Sequence, residues 1–227
     1  MSKRKDEADS PFDPRPSRLL RQLEEFEAHV VRGLVERLRL AALLHRFPPR
    51  LVWAGFTFVS GFLTIGLLAL LAMLSGTPFV FPSLGPTAFL FFFHPRMPIA
   101  SPRNALYGHA IGILCGAGAL WLTGLPFDSN VLEQGVTGRR VLAAALALAA
   151  TGAAMILLRA THPPAGATTL IVALGIVSNP FHLVIIEVAV GLLALQAIAI
   201  NRLAGLDFPL WWRPPPPPGR GAEETPP

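Results

Sequence analysis

The side chains of this 227-residue sequence that can do chemistry inside apolar surroundings gather at two interruptions. One is Thr161-His162-Pro163-Pro164-Ala165-Gly166-Ala167-Thr168-Thr169-Leu170, where an imidazole, two prolines and three hydroxyls separate long apolar runs. Consecutive prolines cannot continue a helix, because each lacks an N–H and pushes the residue before it out of the α region. A first turn accommodates proline, so a new helix is expected from about Pro164, within an apolar stretch that runs to Val177. Free N–H groups at such a start carry the positive end of the helix dipole, which is chemistry for an anion. The other interruption is Pro82-Ser83-Leu84-Gly85-Pro86-Thr87-Ala88-Phe89, with regular helix expected only from about Gly85.

The two interruptions align, Pro82 with Pro163, Gly85 with Gly166 and Thr87 with Thr168. Each follows one long apolar run and precedes another, so the chain reads as span, broken segment, span, twice over. Counted from a cytoplasmic N-terminus, the first break is entered from outside and the second from inside, which makes a 3+3 inverted repeat. Paired interrupted segments at corresponding positions point to a midplane binding site in secondary transporters. The candidate substrate-binding residues are therefore Ser83, Gly85, Thr87, His162, Gly166, Thr168 and Thr169. They offer donors without a fixed countercharge, which suits a small monovalent anion.

Three more residues are candidates for gating or proton linkage. An ionisable group inside a span is a functional hypothesis by default, which brings in His109 and Glu187, with Asn104 near the end of the same run as His109. His162 can donate to an anion, carry a proton or gate, or can simply cap the preceding helix; its charge changes near neutral pH. Glu187 can relay a proton or, as the favoured alternative, pair with Arg139 or Arg140. No metal site is expected, since His94, His109, His162 and His182 lack i, i+3 or i, i+4 spacing and have no carboxylate or second cysteine beside them. Without a Ser-His-Asp order, a phosphate-cradling glycine loop or paired membrane carboxylates, neither an enzyme nor a cofactor is expected.

The elements that must position these residues are set by composition. Hydrophobic residues make up 52% of the chain, and between Leu51 and Ile200 the formal charges are only Arg96, Arg103, Asp128, Glu133, Arg139, Arg140, Arg159 and Glu187. About 20 apolar residues cross a bilayer, and Leu51–Leu74, Asn104–Leu122, Val141–Leu158 and Leu183–Ile200 qualify or come close. The expected fold is all-α, a polytopic helical membrane protein with four full transmembrane helices plus two broken or re-entrant segments. The broken segments are too short to cross ~30 Å at 1.5 Å per residue.

Around this core, residues 1–17 read as a disordered lead and 18–47 as an amphipathic helix with Leu19, Leu23, Phe26, Val30, Leu34, Leu38 and Ala41 on one face. The transmembrane domain is 48–203, and 204–227 reads as a disordered proline-rich tail. The net charge of +5 is mostly arginine before the first span, which favours anionic lipid over nucleic acid and places both termini on the cytoplasmic side of a cell (inner) membrane. No cleavable secretory signal is expected. Gly108, Gly112 and Gly116 repeat at four-residue spacing and allow close helix approach, within the chain or in a homodimer. The single cysteine, Cys115, reads as a small buried hydrophobe.

Thr161-His162-Pro163-Pro164-Ala165-Gly166-Ala167-Thr168, together with Pro82–Thr87 and Pro102-Arg103-Asn104 followed by Gly108-His109, resembles the HPP family of integral membrane proteins. The likeness runs from about Pro48 to Asn201. It implies four transmembrane helices, and some plastid and cyanobacterial members of that family are regarded as nitrite transporters, while others are fused to soluble regulatory domains. The expected function is thus a secondary transporter or channel for a small monovalent anion, nitrite being the named candidate. The alternative from another class is a non-transporting scaffold or sensor that recruits a partner through its N-terminal amphipathic helix.

Overall fold

The computed structural model describes residues 39–125, 130–177 and 179–211. Among them the chain forms α1 (Leu40–Leu44), α2 (Pro49–Ser75), α3 (Leu84–Phe93), a 3₁₀ turn (Pro98–Ala100), α4 (Pro102–Leu122), α5 (Val131–Gln134), α6 (Gly138–Leu157), α7 (Ala165–Ala173) and α8 (Pro180–Leu203), and no strand. Four of these, α2, α4, α6 and α8, have 27, 21, 20 and 24 residues and are long and apolar enough to cross a membrane. At 1.5 Å per residue, α3 with 10 residues and α7 with 9 reach only about half of a ~30 Å hydrocarbon layer.

Local chemistry explains the starts. Proline occupies the first turn of α2, α4 and α8, where its missing N–H costs nothing. Side-chain oxygens of Ser101, Thr137 and Asn179 cap α4, α6 and α8. The short helices begin differently, after the turns Pro82-Ser83 and Pro163-Pro164, with no side-chain cap. Their ends are also set locally. In α7, Gly175 adopts φ +71°, the Gly175 N–H bonds the Val172 carbonyl and the Ile176 N–H the Ile171 carbonyl. This Schellman ending stops the helix short of the expected Val177. The same pair of bonds closes α4 at Gly124, α8 at Gly205 and α6 at Arg159, whose φ is +50°.

Packing joins α4 to α6, α7 and α8, α2 to α3 and α8, α3 to α8, and α6 to α7. One core lies around α3 and α8, with Leu84, Phe91, Phe92, Ile186, Val190 and Leu193 all fully buried. The other side is built from small residues. A Cβ on Gly108 would lie 2.7 Å from His162 Cβ, on Gly112 2.9 Å from the Ala165 carbonyl oxygen, and on Gly116 2.8 Å from Val172 Cβ. The glycine face expected for close approach is therefore spent within the chain, along α7 from the residues before its start almost to its end. Phe58, Phe62, Leu114, Trp121 and Leu157 face outward, as side chains bordering lipid do.

Two expectations about the flanks change. Residues 204–211 are not an open tail: Phe208 is fully buried with its ring 5.8 Å from that of Phe91, and the Arg103 N–H bonds the Trp211 carbonyl. Apolar area at Leu206, accommodated against α1 and α2, and at Phe208, in the core around α3 and α8, outweighs the freedom of a polar tail. Of the amphipathic helix expected over 18–47, the described part is helical only over Leu40–Leu44, where Leu40 packs on Val52 and Leu206. Residues 1–38, 126–129, 178 and 212–227 lie outside the described residues, and with them the lead, most of the amphipathic helix and the polyproline run.

Two stability predictions follow from this geometry. Gly112→Ala drives a methyl into a backbone carbonyl that cannot retreat, so it should cost about 1–3 kcal/mol and lower the melting temperature in detergent. Gly118→Ala, with nothing within 4 Å, should be neutral or slightly stabilising. Arg159 is a non-glycine residue in the left-handed region. Arg159→Gly should relieve up to about 1 kcal/mol, read as a higher melting temperature in the same assay.

Candidate functional site

The first turns of α3 and α7 bring Thr87 and Thr168 inside the protein, and both are fully buried. His109, on the same side of α4 as Gly108 and Gly112, is buried between them. Its Nε2 lies 3.0 Å from Thr87 Oγ1 and its Nδ1 2.7 Å from Thr168 Oγ1. One imidazole thus links the threonines that align between the two interruptions. His162, fully buried in the short extended link between α6 and the Pro163-Pro164 turn, approaches from another side. Its Nε2 is 3.2 Å from Thr87 Oγ1 and its Nδ1 is 2.9 Å from the Ile99 carbonyl oxygen. The two imidazole centroids are 5.3 Å apart.

Hydrogen-bond accounting orients this cluster. The Ile99 carbonyl only accepts, so Nδ1 of His162 carries the proton and Nε2 of the neutral ring accepts. Thr87 has one hydroxyl proton and two acceptors in reach, the Ser83 carbonyl at 3.1 Å and His162 Nε2 at 3.2 Å; because the Nε2 lone pair has no other donor, the proton goes to Nε2. His109 Nε2–H then donates to Thr87 Oγ1, and His109 Nδ1 accepts from the Thr168 hydroxyl. If His109 carried its proton on Nδ1 instead, two nitrogen lone pairs would face the single Thr87 proton. With both rings neutral, the chain therefore runs one way, from Thr168 through His109, Thr87 and His162 to Ile99. Neither imidazole has a carboxylate or a guanidinium among its hydrogen-bond partners.

The other expected residues take different places. Asn104 positions His162: its Nδ2 donates to the carbonyls of Pro98 and Thr161, while Arg103 Nη1 donates to Asn104 Oδ1 and to the Arg159 carbonyl. Ser83, the N-cap residue of α3, is fully buried and its Oγ has no hydrogen-bond partner. Thr169 bonds Thr151 Oγ1 and the Ala165 carbonyl, one side-chain position away from the cluster. Gly85 and Gly166 are only partly buried, and a Cβ on Gly85 would meet nothing within 4 Å. They lie in the first turns of α3 and α7 and make no side-chain hydrogen bond. Glu187 is absent from the chain of bonds, and its Oε2 is buried without a hydrogen-bond partner. The expected pairing with Arg139 or Arg140 is not formed among the described residues; Arg140 is buried and donates to the Ala173 carbonyl.

The expected free amides at the start of α7 are also corrected. The N–H groups of Ala165, Gly166 and Ala167 turn back onto the carbonyls of His162, Pro163 and Pro164. These 3₁₀-type bonds satisfy the first turn internally, so side chains rather than main-chain amides supply the donors of the site. Sequence reasoning had no signal for the Ile99 carbonyl or the Thr151 hydroxyl, whose roles depend on contacts across the fold. The outward faces of the short helices border a separate apolar cleft of about 550 Å³ between Phe89, Phe93, Pro163 and Pro164. Its walls are apolar apart from His94 at the end of α3.

The HPP transmembrane region matches residues 47–209, which include every member of the hydrogen-bond chain. Two transmembrane proteins of Dictyostelium discoideum are similar. One is 29% identical over 167 residues, covering 70% of this chain and 50% of its own length; the other is 28% identical over 176 residues, covering 72% and 57%. The chain thus spans about half the length of these curated relatives. No solved structure matches it. With that match spanning α2 to α8, the chain is a multi-pass integral membrane protein and belongs to the HPP family.

Proposed function

We propose that the protein passes a small monovalent anion, nitrite being the named candidate, through the junction of its two short helices by alternating access. The observation that carries this is the convergence of Thr87 and Thr168 on His109 inside the membrane domain, at hydrogen-bond distances of 3.0 and 2.7 Å. The polar groups gathered there are hydroxyls and imidazoles, with a further buried hydroxyl at Ser83. Their O–H and N–H groups can solvate one negative charge, and no carboxylate, a usual ligand of a cation, is among them.

Alternating access needs two halves that exchange roles, and an inverted repeat of α2–α3–α4 with α6–α7–α8 would provide them. Three features support that pairing. The turn and the helix start occur at the same offset after Pro82 and Pro163. Exchanging α2 with α6, α3 with α7 and α4 with α8 leaves the set of packed helix pairs unchanged. His109 and Glu187 each stand seven residues after the proline that opens α4 or α8. In this arrangement α3 and α7 are re-entrant, and both termini lie on the cytoplasmic side of the cell membrane.

Uptake of nitrite by proteoliposomes, compared with formate, nitrate, chloride and protein-free vesicles, tests the proposal. Thr87→Val and Thr168→Val each strip a buried imidazole of its partner. They should reduce uptake by about tenfold or more, whereas Thr123→Val, whose hydroxyl bonds only within the end of α4, should not. Uptake equal to that of protein-free vesicles for all four anions would refute anion passage.

A further inference from the structure

We infer that the junction takes up one proton, on Nε2 of His162, with each anion it passes, making transport an electroneutral proton–anion symport. This rests on the anion passage proposed above and adds its coupling ion. It follows from a second acceptor at Thr87, whose Oγ1 lies 3.1 Å from the Ser83 carbonyl oxygen as well as 3.2 Å from His162 Nε2.

When His162 is neutral, Thr87 donates to its Nε2. When Nε2 gains a proton, the direction of that bond reverses: Nε2–H donates to Thr87 Oγ1, and the Thr87 hydroxyl turns to the Ser83 carbonyl. Thr87 Oγ1 then accepts from both imidazoles with its two lone pairs, and both imidazoles and both threonine hydroxyls remain bonded. His109 offers no equivalent. A proton on its Nδ1 would turn that nitrogen against the Thr168 hydroxyl, and the described hydrogen bonds give Thr168 no second acceptor. The cluster therefore holds one extra proton, at one atom, without orphaning a donor. A second is opposed by the 5.3 Å separation of the rings.

The charge of that proton has to be matched. On the elements packed around the pair, the other charged or titratable groups are Arg103, Tyr107 and Cys115 on α4, Arg139 and Arg140 on α6, Arg159 just beyond it, Glu187, His182 and Arg202 on α8, Arg96 in the loop before Ile99 and His94 at the end of α3; α7 carries none. None is a hydrogen-bond partner of His109 or His162. A buried imidazolium alone is costly, and so is a buried anion alone; together they are neutral. Each ligand therefore raises the affinity for the other by the same factor, and the stoichiometry is one proton per monovalent anion, with no net charge moved.

The full chain in proteoliposomes, with nitrite as the probe, an internal pH dye and subtraction of protein-free vesicles, tests this. Electroneutral symport predicts protein-dependent acidification with uptake, accumulation approaching about tenfold per unit of pH gradient, and indifference to potassium diffusion potentials of either sign. Protein-dependent uptake that follows the imposed potential and ignores the pH gradient would overturn the coupling and leave anion passage standing. Absence of protein-dependent uptake would overturn both. His162→Gln keeps hydrogen bonding but cannot carry the proton, so its residual uptake should lose at least tenfold of the response to the pH gradient. If that response is retained in a variant that elutes as the wild type does, the assignment to His162 is wrong.

Discussion

A nine-residue helix covers only about half of a bilayer, so it cannot bring both ends to opposite surfaces, and an end short of water has to be satisfied by protein. The close contact of α4 with α7 makes that possible. Three glycines, one turn apart, let the α4 backbone lie against α7 where a methyl would collide with a carbonyl or a Cβ. The C-terminal end of α7 is then closed by its own Schellman bonds and by the buried Arg140 on the Ala173 carbonyl. Opposite, α3 meets the same requirement through Asn201 of α8, whose Nδ2 donates to the Phe91 carbonyl. Helix ends at membrane depth persist because neighbouring helices complete their bonds.

The same contact delivers the chemistry. Because α4 lies so near α7, His109 reaches Thr168 on one side and Thr87 on the other, and Gly108 leaves room for His162. Five groups, each from a different segment, then share one chain of hydrogen bonds. An imidazole in such a chain is held in one tautomer by the acceptor behind it, here the Ile99 carbonyl behind His162. The site is consequently polar without being charged. It suits transient occupancy by a charge better than permanent storage of one.

The positions of the spans and of both breaks could be read from the residues, because each depends on neighbours a few positions away. Proline at Pro82, Pro163 and Pro164 keeps helix from running through the breaks, Pro86 is accommodated in the first turn of α3, and the helices begin at Leu84 and Ala165, within one residue of the expected starts. The alignment of Thr87 with Thr168 was also legible, as was the candidacy of His109 and His162. Other placements could not be read, for a common reason. The amides at the start of α7 are bonded inward, Thr169 faces Thr151, and Phe208 returns to the core. Each outcome depends on which surface another segment presents.

The sequence by itself thus determined the architecture in one dimension: four apolar stretches of membrane length, two proline-broken stretches of half that length, and glycines able to bring helices together. Hydrocarbon thickness and the missing N–H of proline act on local sequence alone. Tertiary structure decided which polar groups meet. The bonds from Thr87 to His109, His109 to Thr168 and Thr87 to His162 join residues 22, 59 and 75 positions apart. Their direction is settled by the Ile99 carbonyl, a main-chain group that no residue identity marks in advance.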